Sequence, residues 1–183
     1  MADVQNQADN NITIRFATSN DIEQIQNLNQ KWLISNIDTA DKTNGFLFGD
    51  PLKYSDLTNI IDAKELTVAY CNRRLVGYYL FDNYSDTEVL RQYSNYITDL
   101  IATGHLESNV RISKRASAVV EKDFQNLGLS KKLLELLLTE VQHKYDTLFS
   151  VVSKQNPKII AHQKAGWTII AENDTLYFVQ HAL

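Results

Sequence analysis

Cysteine, proline and glycine are all scarce in this chain, and the scarcity excludes several classes of protein. The 183 residues include one cysteine, two prolines and six glycines. The single cysteine, Cys71, can form neither an internal disulfide nor a structural zinc site, so a reducing cytoplasmic location is expected. The glycines are too scattered for a Walker A loop or for the Gly-x-Gly-x-x-Gly sequence of a dinucleotide-binding turn.

An excess of basic charge and long apolar runs are also missing. Eighteen lysines and arginines against 22 acidic residues give a net charge of −4, which argues against nucleic acid as a partner. No apolar stretch approaches the roughly 18–20 residues that cross a bilayer, so no membrane partner is expected. The four histidines lack metal-ligand spacing, and we predict no metal site.

Length and composition are those of one folded domain. An apolar fraction of 44% with 22% charged residues is ordinary for a globular protein. Residues 1–11 are polar and lack the basic and apolar regions of a signal peptide, so they are predicted to form a flexible tail. The remaining residues, 12–183, are predicted to form a single domain.

Hydrophobic periodicity predicts alternating strands and helices. Capping-box spacing of Asn20 and Glu23 predicts the start of the first helix, and Asn156, Pro157 and Gly166 are expected to bracket the last one. A helical insertion is expected over residues 87–101, where Tyr93 and Tyr96 are candidates to line an acceptor pocket. The predicted strands cover residues 12–16, 66–70, 75–81, 118–120, 147–152, 167–171 and 176–179. This order predicts a mixed sheet with helices on its faces.

The segment from Ser117 to Leu138 carries the strongest functional signal. An apolar β-branched run is followed by a compact turn around Gly128 and then by a leucine-rich helix. A strand, a turn and a helix in this order bring free backbone N–H groups to a helix start, where a phosphate is favoured. The turn alone leaves two interpretations open, an anion cradle or an ordinary connection in an α/β protein.

Two motifs resemble the GNAT N-acetyltransferase superfamily. Its acyl-CoA binding motif is Arg or Gln, two residues, Gly, one residue, then Gly or Ala, and Gln125, Gly128 and Ser130 occupy those places. Ser130 departs from the usual residue but is small. The stretch from Asn156 to Gly166-Trp167 resembles the family's asparagine and following helix that ends in Gly-Phe. Together with the Leu75–Tyr78 run and the element order, this resemblance implies an α/β GNAT-type acyl-CoA N-acyltransferase fold.

The resemblance implies an acetyl-CoA-dependent N-acetyltransferase that transfers an acetyl group directly to a primary amine. Acetyl-CoA would be the co-substrate, and a homodimer is allowed. The mildly acidic chain and the predicted insertion slightly favour a small cationic amine as the acceptor, with a protein amino group as the alternative. The pantetheine arm would pair with the strand at Val119 and Val120. Residues implied for coenzyme binding are Val119, Val120, Gln125, Asn126, Leu127, Gly128, Leu129, Ser130, Lys131 and Asn156. Alternatively, Lys131 is only solvated, and Asn156 only caps a helix.

The catalytic groups are less clearly indicated. His162 occupies the position where many members carry a tyrosine general acid, and Glu121 follows the coenzyme-binding strand as a candidate base. The alternatives are a partly exposed helix histidine and an exposed strand-end carboxylate. A second hypothesis is therefore a GNAT-fold module that binds CoA or a protein partner without catalysis.

Overall fold

A computed structural model describes residues 12–183, apart from the side chain of Ala116. The predicted tail at residues 1–11 lies outside the described residues. The strands are β1 Ile12–Phe16, β2 Leu66–Cys71, β3 Arg74–Phe81, β4 Ile112–Val120, β5 Thr147–Ser153, β6 Thr168–Glu172 and β7 Leu176–Ala182. The helices are α1 Ile22–Trp32, α2 Tyr54–Asp62, α3 Glu88–Ala102, α4 Leu129–Val141 and α5 Ile159–Lys164. In this part of the chain, every helix is too short or too polar to cross a lipid bilayer.

The strands form one mixed sheet, as predicted. Their order in the sheet is β1-β2-β3-β4-β5-β7-β6. At the C-terminal end, β7 therefore lies between β5 and β6. Only β4 and β5 pair in parallel, and all the other neighbours are antiparallel. The parallel pair needs a crossover connection, which α4 supplies.

Helices cover both faces of the sheet because successive strand residues point to opposite faces. On β3, Tyr78 and Leu80 pack with α1 and α2. The neighbouring Tyr79 and Phe81 pack with α4 on the other face. The inserted helix α3 packs over β5 and β7, where Tyr93 and Phe149 meet edge to face at 5.8 Å.

The last helix begins later than predicted. Its first residue is Ile159 and its N-cap is Lys158, whereas the sequence predicted a start at Asn156 and Pro157.

Two further boundaries differ from the sequence predictions. The capping box is formed by Thr18 and Asp21, not by Asn20 and Glu23, because the chain already turns into a short 3-10 segment at Ser19. Strand β4 is much longer than residues 118–120, since it begins at Ile112. Its first half is polar, and an apolar pattern could not reveal it.

Asp21 ties the start of α1 to β1 and β2. Its buried carboxylate accepts two hydrogen bonds from Arg15, at 2.7 and 2.8 Å, and one from the Tyr70 hydroxyl at 2.8 Å. The Thr18 backbone N–H donates at 2.7 Å. Burial alone would raise the pKa of Asp21, but the hydrogen bonds from Arg15, Thr18 and Tyr70 outweigh it and hold that pKa well below its usual range.

Replacing Asp21 with Asn should therefore destabilise the protein in a pH-dependent way. A carboxyl group with a depressed pKa in the folded state contributes stability above its unfolded pKa, near 4, and that contribution is lost as the pH falls. Urea unfolding at pH 7 should give Asp21→Asn a free energy of unfolding roughly 2 kcal/mol below that of the wild type. This gap should shrink steadily between pH 5 and pH 2.

The matched control is Asp62→Asn, which changes an exposed carboxylate at the end of α2. Its unfolding free energy should stay within about 0.5 kcal/mol of the wild-type value. A gap between Asp21→Asn and the wild type that does not depend on pH would contradict the charge-based role.

Candidate functional site

The two parallel strands separate partway along their length. β4 and β5 are paired only from Ile112 with Thr147 to Lys114 with Phe149. Beyond this point β4 continues to pair with β3, up to Val120, and β5 continues to pair with β7, up to Ser153. A wedge-shaped cleft therefore opens in the middle of the sheet.

Backbone hydrogen-bonding groups on the cleft side of both strands lack a sheet partner. The Glu121 N–H donates to the Val76 carbonyl at 2.8 Å. This bond shows which residues of β4 direct their backbone groups toward β3. Because the groups alternate in direction along the strand, Ala118 and Val120 direct their N–H and C=O groups into the cleft. The peptide groups of Val119 itself face β3. Across the cleft, the Val151 N–H donates to the Tyr93 hydroxyl at 3.4 Å.

The predicted turn leads from the end of β4 to the start of α4. Asn126 and Gly128 both adopt left-handed backbone conformations, with φ of 66° and 73°. No side chain caps the helix at Gly128, and the first bond within the helix runs from the Lys132 N–H to the Gly128 carbonyl. The N–H groups of the preceding first turn are thus left for another acceptor, as is general at helix starts.

The cleft and this helix start belong to one cavity of about 750 Å³. Its apolar wall comes from the segment 46–49, from α3 and from Trp32, and it includes the predicted candidates Tyr93 and Tyr96. Among the described residues, the charged side chains that line the cavity are all cationic: Arg115, Lys131, Lys158 and Lys164. No aspartate or glutamate of residues 12–183 is part of this lining.

One chain segment crosses the outer end of the cleft. The Gln125 side-chain amide donates to the carbonyl of Asn44 at 3.1 Å, and the Asn156 amide donates to the carbonyl of Phe46 at 3.1 Å. The segment 44–47 is thereby bonded to the end of β4 on one side and to the loop before α5 on the other. Asn156 also accepts from the Lys158 N–H at 3.0 Å, so it caps this turn as well.

Arg115 and His162 meet at the inner end of the cleft. Arg115 is 6% exposed, and its Nε donates to Ser150 Oγ at 2.9 Å. The same guanidinium lies 4.7 Å from the centre of the Trp167 ring, and its Nη1 lies 3.1 Å from His162 Nδ1. Desolvation, together with the positive charge of Arg115, lowers the pKa of His162 to about 2. The imidazole is neutral, and because Arg115 donates to Nδ1, the ring proton is on Nε2.

Glu121 lies apart from this cavity. Its buried carboxylate accepts from Lys31 Nζ at 2.7 and 2.8 Å and lies 3.3 Å from Arg74 Nη2. It lines a small separate depression together with residues of α1. Glu121 therefore forms a structural ion pair. Its carboxylate does not reach the cleft beside β4, where the coenzyme was predicted to bind.

The sequence and the fold were compared with those of known proteins. No protein-family model and no curated protein sequence matches the chain. Among solved structures, the Salmonella typhimurium protein yncA, with its cofactor acetyl-CoA, is 20% identical, has a TM-score of 0.61, and matches over 94% of each chain. A GNAT family acetyltransferase from Listeria monocytogenes is 16% identical, with a TM-score of 0.58 over 94% of this chain and 95% of that chain. Arabidopsis thaliana Naa50, in complex with the bisubstrate analogue CoA-Ac-MVNAL, is also 16% identical, with a TM-score of 0.58 over 94% and 99%. The chain has the GNAT fold.

The GNAT-type fold predicted from sequence is confirmed. Within it, most of the predicted site residues line the one cavity: Val119, Val120, Gln125, Asn126, Gly128, Leu129, Ser130, Lys131, Asn156 and His162. Leu127 instead packs against the core on the α4 face, and Glu121 lies outside the cavity.

Arg115 is the residue of this GNAT-fold cleft that sequence reasoning missed. It lies in the polar first half of β4, where Ser113, Arg115 and Ser117 are all buried. Ser113, Lys114 and Arg115 are consecutive polar residues, so no alternation in the sequence marked the side of the strand that faces inward.

The neutral state of His162 can be tested by NMR. The nitrogen chemical shifts of His162 should report a neutral imidazole protonated at Nε2 throughout pH 5–8, because burial and Arg115 both oppose a second proton. In Arg115→Gln, which removes the positive charge but keeps a side-chain amide, the pKa of His162 should rise. A wild-type ring that titrates between pH 6 and pH 7 would contradict this description of the site.

Proposed function

We propose that the protein is an acetyl-CoA-dependent N-acetyltransferase that acts by direct attack of a primary amine on the thioester. The observation that carries the proposal is the cleft between β4 and β5, with unpaired backbone groups along its wall and an uncapped helix start at its end. Such a cleft suits a ligand with an amide-rich arm and a phosphorylated end, which is the chemistry of acetyl-CoA. The coenzymes named for the solved GNAT-fold structures support the same donor.

The phosphates would bind at the start of α4. The N–H groups of Leu129, Ser130 and Lys131 are oriented along the helix axis and favour negative charge. The left-handed conformation at Gly128 leaves open space where a side chain would stand, since nothing lies within 4 Å of a Cβ built there. Lys158, which now donates to Gln125 Oε1 at 2.9 Å, is the nearby cation that could turn toward a phosphate.

The pantetheine arm would run along the edge of β4. Its amide groups would pair with Ala118 and Val120, whose backbone groups face the cleft, as an added strand does. Val120 O now accepts from the Gln125 side chain at 3.1 Å, so the arm would take over this bond. The backbone pairing predicted at Val119 is accordingly assigned to Ala118 instead.

Transfer requires one bond to form and one to break. The amine nitrogen attacks the thioester carbon, the C–S bond breaks, and the proton released by the amine ends on the sulfur of the departing CoA. His162 would donate from Nε2 to the charge that develops on the thioester oxygen or sulfur. It would act as a neutral hydrogen-bond donor and not as the imidazolium acid expected from sequence, because its pKa lies at about 2.

The cavity charge would itself help to deprotonate the acceptor. An ammonium group near Arg115, without a carboxylate beside it, is disfavoured relative to the neutral amine. Glu121, held in its ion pair with Lys31, is not part of this proposal. Because no carboxylate of the described residues lines the cavity, the non-catalytic CoA-binding module remains the second candidate function.

Coenzyme binding can be tested with a matched pair of glycine variants. Acetyl-CoA at millimolar concentration should raise the melting temperature of the wild type by mass action. Gly128→Asp should lose this shift, since it places a carboxylate at the phosphate site. Gly104→Asp is the control, because Gly104 has a similar φ of 77° and equally open surroundings. Equal ligand-induced shifts in both variants would contradict the assignment of the phosphate site.

Catalysis can be tested by thiol release from acetyl-CoA over a panel of primary amines. The wild type should release CoA with at least one amine, and His162→Gln should lower kcat by about 100-fold while keeping the acetyl-CoA thermal shift. Gln163→Ala, an exposed neighbour on α5, should change neither. Thermal shifts without turnover for any amine would favour the non-catalytic module.

A further inference from the structure

Arg115 carries a buried positive charge that the described protein does not neutralise. Its hydrogen-bond partners are the neutral groups Ser150 Oγ, at 2.9 Å, and His162 Nδ1, at 3.1 Å, with Tyr79 Oη at the outer limit of 3.5 Å. Within residues 12–183, no carboxylate lies within the 4 Å of an ion pair with it. Burying a cation without a counter-charge is costly, and native proteins normally pair such a charge.

The guanidinium is nevertheless held rigidly and faces the cavity. The Trp167 ring on one side and the Ser150 hydroxyl at Nε fix its plane. With Nη1 directed to His162, Nη2 has no hydrogen-bond partner in the described part of the chain. A planar donor fixed in this way is suited to a carboxylate, which accepts guanidinium hydrogen bonds well.

The coenzyme phosphates are too distant to supply the missing negative charge. Val120, where the turn to the phosphate site begins, lies five residue steps after Arg115 on β4, which corresponds to about 16 Å of extended strand. The cations near that turn, Lys131 and Lys158, lie at the coenzyme end of the cavity. Arg115 instead lies at the inner end, where an acceptor would meet the thioester.

The wall of the same cavity has a large apolar and aromatic part. Phe46 and Phe48 meet edge to face at 5.2 Å, and Val89, Tyr96 and Leu176 complete the wall. A simple cationic amine would be repelled by Arg115 and would find no carboxylate of residues 12–183 in the lining. An acceptor that brings its own carboxylate would offset the charge, and an apolar side chain would fit the wall.

We infer that the acceptor is a free amino acid with a large apolar or aromatic side chain, and that Arg115 binds its α-carboxylate. The inference rests on the proposed function, because it names the acceptor of the same reaction. The α-amino group of such a ligand lies one carbon from the carboxylate. Binding at Arg115 therefore brings the amine close to the thioester held along β4. The expected preference for a cationic acceptor is replaced by one for an amino acid whose carboxylate pairs with Arg115. Its α-amine attacks in the neutral form, after the ammonium proton has left to solvent.

The test compares L-phenylalanine with L-phenylalaninamide and phenethylamine, which keep the amine and the ring but lack the carboxylate. In the thiol-release assay the wild type should use L-phenylalanine with a kcat/KM at least tenfold above either analogue. Arg115→Gln should bring this ratio close to one, mainly through KM for the amino acid, and Arg115→Lys should restore part of it. Lys53→Gln removes an exposed cation outside the cavity and should leave the ratio unchanged.

The outcomes separate the inference from the proposed function. A wild-type ratio of one or below, or equal losses for all three amines in Arg115→Gln, would overturn carboxylate recognition and would assign Arg115 to the thioester or to folding. Turnover with none of the three amines, while acetyl-CoA still raises the melting temperature, would also overturn it. If acetyl-CoA itself gave no thermal shift, the proposed function would fail first. Circular dichroism of each variant checks that the fold is retained.

Discussion

The separation of β4 from β5 after Lys114 and Phe149 is the constraint on which the rest of the structure depends. Inside a sheet, each strand normally satisfies the backbone groups of both neighbours, and leaving them unpaired costs free energy. Here each strand keeps one neighbour, β3 or β7, and gives up the other. Where the two strands separate, a side-chain hydrogen bond joins β4 to β5 in place of backbone hydrogen bonds, since Arg115 Nε donates to Ser150 Oγ at 2.9 Å.

Two of these cleft-side backbone groups bond at present to other parts of the chain. Gln125 occupies the Val120 carbonyl, and the Tyr93 hydroxyl accepts from the Val151 N–H. The segment 44–47 bonds to Gln125 and Asn156 across the outer end. The side chains that the GNAT resemblance assigns to the coenzyme thus hold the cleft together in this structure, and acetyl-CoA would exchange these bonds for its own.

Charge divides the cavity into two ends with different preferences. Lysines and an uncapped helix start lie at the outer end, and Arg115 with the neutral His162 lies at the inner end. The same arginine fixes the tautomer of His162 and, together with burial, lowers the pKa of that ring. In our proposals, one residue therefore sets both the hydrogen-bond donor available for the thioester and the charge that an acceptor meets. This is why acceptor chemistry and the role of His162 are linked in our proposals.

The sequence by itself determined the order of the elements, the mixed sheet, and the turn from Gln125 to Ser130, because apolar periodicity and a glycine before a leucine-rich helix are local signals. It also pointed to Asn156 and His162, which line the same cavity as that turn. Only the tertiary structure decided that Glu121 pairs with Lys31 and Arg74 away from the cavity, since these partners come from distant parts of the chain. It also decided that Arg115 is buried at the inner end of the cleft, where no carboxylate of residues 12–183 pairs with it. A polar strand interior is invisible to an apolar pattern, and a pKa depends on neighbours that only folding brings together.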